Sequence, residues 1–378
     1  MSGDDFIGGG PPAPGQALAA AASPPALDAR LLKAQGYGLG FDLVGIARLG
    51  PVGTAPEFER WLARGHAADM QWLERGAARR ADTRLPVPGA RSAVVVALEY
   101  GGREPSGPVS RYARGDDYHD LVVERLRALQ EWASERAGYP IPGRAYSDTG
   151  PILERDLARR AGLGWFGKNT MLINPERGSF FFLGALLLDL DLEPDAPFDA
   201  DRCGSCTRCL DACPTGALVG PRELDARLCI SYLTIELRGS IPEELRECMG
   251  GLMYGCDVCQ EVCPWNKSFA RELEEPAFAA REALRGRDAR TLAREVLAMT
   301  QEEFSAAFRK SPVKRTKLRG MKRNAAVVLG NVGTAEDVDV LTRALDDEEP
   351  LVREHAAWAR AWIEQRGRSR GSGRASTA

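Results

Sequence analysis

Apolar positions follow three different patterns along the 378-residue chain. From residue 31 to about 200, continuous apolar runs alternate with stretches of helical period. Residues 92–98 (SAVVVAL) are β-branched and unbroken, as a strand covered on both faces requires. Residues 180–190 repeat that pattern. The apolar stretch 41–47 follows a short predicted helix over 30–38. Helices are also predicted over 58–62, 70–73 and 118–136. Another is predicted over 151–161, with Pro151 in its first turn, where a missing N–H is harmless. Helices alternating with apolar strands predict an α/β fold, a sheet covered by helices.

Residues 201–270 predict short loops and helices, and residues 290–365 predict helices only. Within the latter, KRNAAVVL (322–329) and REHAAWAR (353–360) repeat an alanine pair at an offset of 31. This resembles a HEAT repeat, in which helix pairs stack because neither buries a face alone. Residues 1–30 and 366–378 are rich in small and polar residues and carry too little apolar surface to offset the entropy of ordering. They are expected to be tails. The expected divisions are therefore 1–30, 31–200, 201–270, 271–365 and 366–378.

Composition narrows the function classes. Hydrophobic residues make up 44% and charged residues 27%, as in an ordinary globular protein. The net charge of −3 advertises no nucleic acid by itself. The longest apolar run, 180–188, has nine residues, against about 20 for a membrane span. No basic residue precedes the alanine-rich stretch 17–22, so no secretory signal is expected. A cytoplasmic protein without a membrane partner is expected.

The nine cysteines carry the chemistry, and all lie between Cys203 and Cys263. An odd number confined to one segment argues for metal rather than disulfides. Cys203, Cys206, Cys209 and Cys213, with Pro214 following, show the ferredoxin spacing, in which three thiolates cap one iron–sulfur cube and the fourth serves another. Cys256, Cys259 and Cys263 form a second run in which Met253 stands where a first cysteine would be. Two four-iron clusters need eight thiolates. The crossed pattern gives Cys203, Cys206, Cys209 and Cys263 to one cluster. Cys213, Cys256, Cys259 and one outside cysteine go to the other. Spacing does not choose between Cys229 and Cys248. A chain this large should also hold an acceptor cofactor in its α/β part.

Other motifs are weaker. Gly162, Gly164 and Gly167 match a dinucleotide fingerprint but follow a predicted helix instead of a strand, so a helix end and a tight turn are expected. Asp148 has two readings: a cap for the helix after it, or a proton donor if its surroundings raise its pKa.

Five segments together resemble the epoxyqueuosine reductase family of tRNA-modifying enzymes: SRYARGDDYHDL (110–121), YSDTGPILERDLARRAGLGWFGKNTMLI (146–173), CGSCTRCLDACPTGAL (203–218), RLCISYLT (227–234) and YGCDVCQEVCPWNK (254–267). The resemblance spans about residues 31–365. It implies a cobalamin in a nitroreductase-like α/β domain, fed by two [4Fe-4S] clusters in a ferredoxin-like module. The HEAT-like helical part follows. It also implies the final step of queuosine formation, in which the epoxide oxygen is removed at the tRNA wobble position. By this resemblance Asp148 is the proton donor and Cys229 the eighth thiolate, with Cys248 spare. Arg80, Ser110, Lys168, Asn169, Leu172 and Leu183 match positions near the corrin. The plainer readings are core packing for the leucines and a solvated charge for Arg80. His119 is not expected to ligate cobalt.

Residues 309–324 hold eight basic residues and no acidic one. Lys314, Arg315, Lys317, Arg319, Lys322 and Arg323 are the expected phosphate contacts to tRNA, which give affinity without sequence information. A flavodoxin- or ferredoxin-type donor and a monomer complete the expectation. Two other readings are a cobalamin-dependent reductase of a small molecule and a non-catalytic electron-transfer subunit.

Overall fold

The computed structural model describes residues 27–372, with side chains described to residue 368. Most of the expected N-terminal tail lies outside the described residues, as do residues 373–378. The first part of the chain runs α1 (Ala29–Gly38), β1 (Leu43–Arg48), α2 (Ala55–Ala63), α3 (Gln71–Arg75), α4 (Ala77–Arg80), β2 (Ser92–Glu99), α5 (Tyr118–Ala137), β3 (Gly143–Tyr146), α6 (Glu154–Arg160), β4 (Trp165–Phe166), β5 (Leu172–Ile173) and β6 (Phe181–Leu188). Asp28 caps α1 by accepting from the Leu31 amide, so order begins slightly before the expected tail boundary.

Four strands form one sheet in the order β1-β2-β6-β3, antiparallel throughout. The unbroken apolar run of β2 divides between two faces because successive side chains point opposite ways. Val94, Val96 and Leu98 pack with Leu32, Leu126 and Leu129 from α1 and α5. Ala93, Val95 and Ala97 pack with Leu157 and Ala158 of α6. The α6 face is built from small residues, and the helix comes close. A Cβ on Gly45 would lie 2.2 Å from the Ala161 carbonyl oxygen. On α5 the buried residues Tyr118, Val122, Leu126, Leu129 and Ala133 make one stripe, bounded by the Asp117 cap and Gly138 in the left-handed region.

The expected helix over 151–161 starts three residues late, at Glu154, with Leu153 at its cap and no side-chain cap bond. Residues 147–153 form a loop because Asp148 takes a φ of 56°, outside any helical path. Asp148 therefore does not cap this helix. Gly162, at φ 78°, ends it, and a Cβ on Gly164 would lie 2.2 Å from the Ile173 carbonyl oxygen. These glycines serve a helix end and a close β4–β5 approach.

The cysteine segment holds α7 (Arg208–Asp211), α8 (Ile230–Ile235), α9 (Glu243–Arg246), α10 (Val258–Glu261) and α11 (Pro264–Phe269). The last part is helical: α12 (Ala289–Ala298), α13 (Gln301–Ala307), α14 (Lys317–Val332), α15 (Val338–Ala344) and α16 (Pro350–Ser372). Here α14 is the centre, with Met321, Ala325, Val328 and Leu329 fully buried. Its partner α16 continues through 366–372, where a tail was expected. The Arg366 guanidinium donates to the Asn331, Gly330 and Gly333 carbonyls at the end of α14, which ties that turn down. The two repeat segments are not equivalent, since Ala326 is buried and Ala357 exposed. Among the described residues no helix is long and apolar enough to cross a membrane.

Candidate active site and cluster module

The loop between β3 and α6 carries Asp148 to an exposed position, and its neighbours control it. The Tyr118 hydroxyl donates to Asp148 Oδ2 at 2.9 Å. The Asp148 amide donates to Glu154 Oε1 at 2.6 Å. Ser147 donates to the Leu183 carbonyl at 2.8 Å, which fastens the loop to β6. Tyr118 is itself wedged, its ring stacked 4.0 Å from Phe182 and 4.0 Å from His119. Burial first, then the Asp148 charge, raises the Tyr118 pKa well above its usual value, so the hydroxyl stays a donor. The same two causes hold Glu154 above the ordinary carboxylate range. Sequence reasoning singled out neither Tyr118 nor Glu154, although both lie inside the quoted segments.

Arg80 is buried, not a solvated charge, and Nη1 has no hydrogen-bond partner. It folds back over Gly76, where a Cβ would strike Nη1 at 1.9 Å. Burial lowers its pKa, opposed by Asp148 and Glu154. Ser110 is also buried with an unpartnered Oγ, pressed against Gly255. Leu172 is buried and Leu183 half-buried in the α6-side core. Lys168 and Asn169 point elsewhere. Lys168 Nζ donates to the Gly204 and Cys206 carbonyls, and Asn169 Nδ2 to the Cys259 carbonyl. Both hold cysteine loops in place. His119 Nδ1 lies 2.6 Å from Asp117 Oδ1.

The two cysteine runs fold against each other through α7 and α10. A cavity of about 350 Å³ is lined by Cys203, Cys206, Cys209 and Cys263, together with Lys168, Asn169 and Trp265. The thiol of the second run's last cysteine thus joins three from the first. The remaining thiols form another neighbourhood. Burial pushes Cys256 up to about 12, with Cys229 and Cys213 adding to the shift. Burial raises Cys259 too, with Cys256, Cys229, Cys209 and Cys213 adding. Cys229, at the start of α8, therefore sits with this set, and Cys248 does not figure in it. Among the described residues no three His, Cys, Asp or Glu side chains converge on a single ion. A four-iron cube presents separate corners, so its ligands stand apart.

The cluster module is locked to the sheet by buried polar groups. Arg111 donates to Asp257 at 2.9 Å and to Glu261 at 2.7 Å. Asn266 accepts from the Ser179 amide at 2.6 Å and donates to the Gln260 carbonyl at 2.8 Å.

Residues 80–149 match the family described as "Epoxyqueuosine reductase QueG, DUF1730", and residues 202–266 match the 4Fe-4S double cluster binding domain. An epoxyqueuosine reductase of Xanthomonas campestris pv. campestris is 42% identical over 334 residues, covering 85% of this chain and 92% of that protein. The chain belongs to the epoxyqueuosine reductase family. The family's members are oxidoreductases. A crystal structure of an epoxyqueuosine reductase with an epoxyqueuosine-modified tRNA-Tyr stem loop is 32% identical, with a TM-score of 0.79 over 88% of this chain and 89% of that one. The Bacillus subtilis enzyme, also 32% identical, with a TM-score of 0.78 over 88% of this chain and 90% of that one, has been seen with an aspartate catalytic loop swung out of the active site.

The basic segment of this family member divides sharply. Lys314, Arg315 and Lys317 are exposed and Arg319 is half-buried. Lys322 is ion-paired with Asp347 at 2.8 Å. Arg323 is fully buried and donates to the Leu233, Leu237 and Gly239 carbonyls around the end of α8. It satisfies a helix C-terminus and cannot reach RNA, contrary to the expectation.

Proposed function

We propose that this protein removes the epoxide oxygen of epoxyqueuosine in tRNA, giving queuosine. The carrying observation is the family membership over most of the chain, joined to Asp148 standing exposed between Tyr118 and Glu154. Residues 31–200 are assigned to a nitroreductase-like cobalamin domain, 201–270 to the clusters and 271–365 to a HEAT-like part that meets RNA. Two [4Fe-4S] clusters would be held by Cys203, Cys206, Cys209 and Cys263, and by Cys213, Cys229, Cys256 and Cys259. Cobalamin fits the residues around Asp148. Arg80 and Ser110 are buried donors without partners, and a corrin's amide fringe offers acceptors. Half-buried Leu183 would supply apolar surface, with Leu172 in the core beside it, while Lys168 and Asn169 would act on the cluster side. When bound, these groups supply the electrons, which no side chain can do.

The side chains manage the proton. Tyr118 fixes the Asp148 carboxyl through Oδ2, and Glu154 fixes its backbone. Asp148 can then deliver a proton to the departing oxygen, making it a better leaving group. Exposed Lys314, Arg315 and Lys317 would bind phosphates, with half-buried Arg319 beside them. A flavodoxin- or ferredoxin-type donor, a cytoplasmic location and a monomer belong to this reading.

The test is anaerobic turnover of epoxyqueuosine-containing tRNA by cluster-reconstituted protein, with and without cobalamin, read by mass spectrometry of the nucleosides. Queuosine formed only with cobalamin supports the proposal. No conversion with clusters and cobalamin bound refutes the substrate. Asp148→Asn should keep both cofactor signatures and lose turnover, and full activity would refute the acid role.

A further inference from the structure

Trp72 lies on α3, a five-residue helix with no buried residue, and is 39% exposed. The Arg315 guanidinium lies over it, 5.2 Å from the ring centroid, and is held there by the Glu236 carboxylate. Arg315 belongs to the exposed part of the basic segment, with Lys314 and Lys317 beside it. Arg75 and Arg79 are exposed further along the same turn of chain. The location ties this surface to the chemistry. A file of tyrosines connects the two: the Tyr254 hydroxyl donates to the Pro312 carbonyl at 2.6 Å, three residues before Arg315, the Tyr254 ring lies 6.4 Å from Tyr112, and Tyr112 lies 6.3 Å from Tyr118, which donates to Asp148. The α3–α4 segment that carries Trp72 at the surface ends in Arg80, which is buried. A water-exposed indole with a guanidinium over its face and exposed basic residues next in sequence suits a flat, electron-rich partner flanked by negative charge, and a protein's apolar face does not meet that description. Nucleobases linked by phosphates do.

We propose that Trp72, backed by Arg315, is a stacking platform for a nucleobase next to the nucleotide presented to Asp148, with Lys314 and Lys317 on the adjoining phosphates. This rests on the reading of tRNA as substrate and adds to it a contact that reads a base face instead of charge. An enzyme acting on a base must draw it out of its stack, and a side chain that takes the place of the lost neighbour stabilises the opened loop.

The two kinds of contact differ in how salt affects them, which makes the proposal testable without cobalamin or reductant. Full-length, cluster-reconstituted protein is titrated with a fluorescein-labelled anticodon stem-loop RNA over a range of salt, and Kd is read by anisotropy. Trp72→Ala should weaken binding about 5- to 100-fold with an unchanged salt slope, and Trp72→Phe should recover most of the loss. Lys317→Ala should instead lower the salt slope by about 0.7 to 0.9. An abasic site at one loop position should mimic Trp72→Ala and add nothing to it. Trp72→Ala binding within twofold of wild type overturns the proposal. So does a loss that no abasic position absorbs, or a Trp72-dependent affinity for anionic vesicles in place of RNA. Wild-type protein that binds no stem-loop overturns the tRNA reading together with this one.

Discussion

Asp148 holds a left-handed backbone, at φ 56°. A residue with a β-carbon disfavours that region by roughly 1–2 kcal/mol, and the loop keeps it through the amide hydrogen bond to Glu154. Glu154→Ala deletes the acceptor. A hydrogen bond of this kind contributes roughly 1–2 kcal/mol, so the ratio of the loop's present conformation to its alternatives should fall about 5- to 30-fold. The carboxyl of Asp148 acts in the chemical step, so kcat should fall by a similar factor while the KM for tRNA stays near wild type. Glu154→Gln keeps an acceptor oxygen in place and should restore most of the rate. Two assays check this. Anaerobic single turnover at saturating tRNA gives the rate. Hydrogen exchange of the peptide spanning 146–153 in cobalamin-free protein reports the loop itself, which should exchange about tenfold faster in Glu154→Ala and not in Glu154→Gln. An alanine variant as active and as protected as wild type refutes the reasoning. A glutamine variant as poor as the alanine one refutes the role of the acceptor.

Three other outcomes are expected. Cys229→Ala should lose about half the iron of reconstituted protein and Cys248→Ala none; equal losses would sink the assignment of Cys229. His355 is fully buried, with Nε2 accepting from the Ile241 amide and Nδ1 facing the Leu351 carbonyl, and burial pushes its pKa down to about 4. The folded state refuses a proton that the unfolded chain takes below about 6.5, so stability is full above that pH and falls toward pH 4, by about 2 kcal/mol at pH 5. His355→Gln should flatten the dependence of Tm on pH between 5 and 6.5, and an unchanged slope counts against it. Arg323→Ala should destabilise by roughly 3 kcal/mol or more, because three carbonyls lose their donor, whereas Arg319→Ala should change Tm little. Chemical denaturation of both variants compares them, and equal stability would contradict the buried role of Arg323.

Local patterns were legible where one stretch of chain decides its own state. The run 92–98 reads as a strand because every residue is apolar and β-favouring or small, and it is β2. Tyr118 begins a helix both in the apolar period and in the structure. The cysteine spacing spoke for iron–sulfur chemistry because ligand geometry on one loop is set by a few residues. What failed or stayed open depends on contacts far along the chain. Cys229 and Cys248 could not be separated by counting, since only the packing of α8 brings one of them beside Cys213 and Cys256. Arg323 reads as one more charge in a basic segment until the end of α8 presents its carbonyls to it. Arg80 reads as solvated until α4 turns inward. The Asp148 loop, with its left-handed residue and its two hydrogen bonds, is invisible in a motif that also fits a helix start. Periodicity and spacing record what neighbours in sequence do to one another. Burial of a charge, pairing of a donor and strain in a loop are set by whatever else folds against them, and only the tertiary structure supplies that.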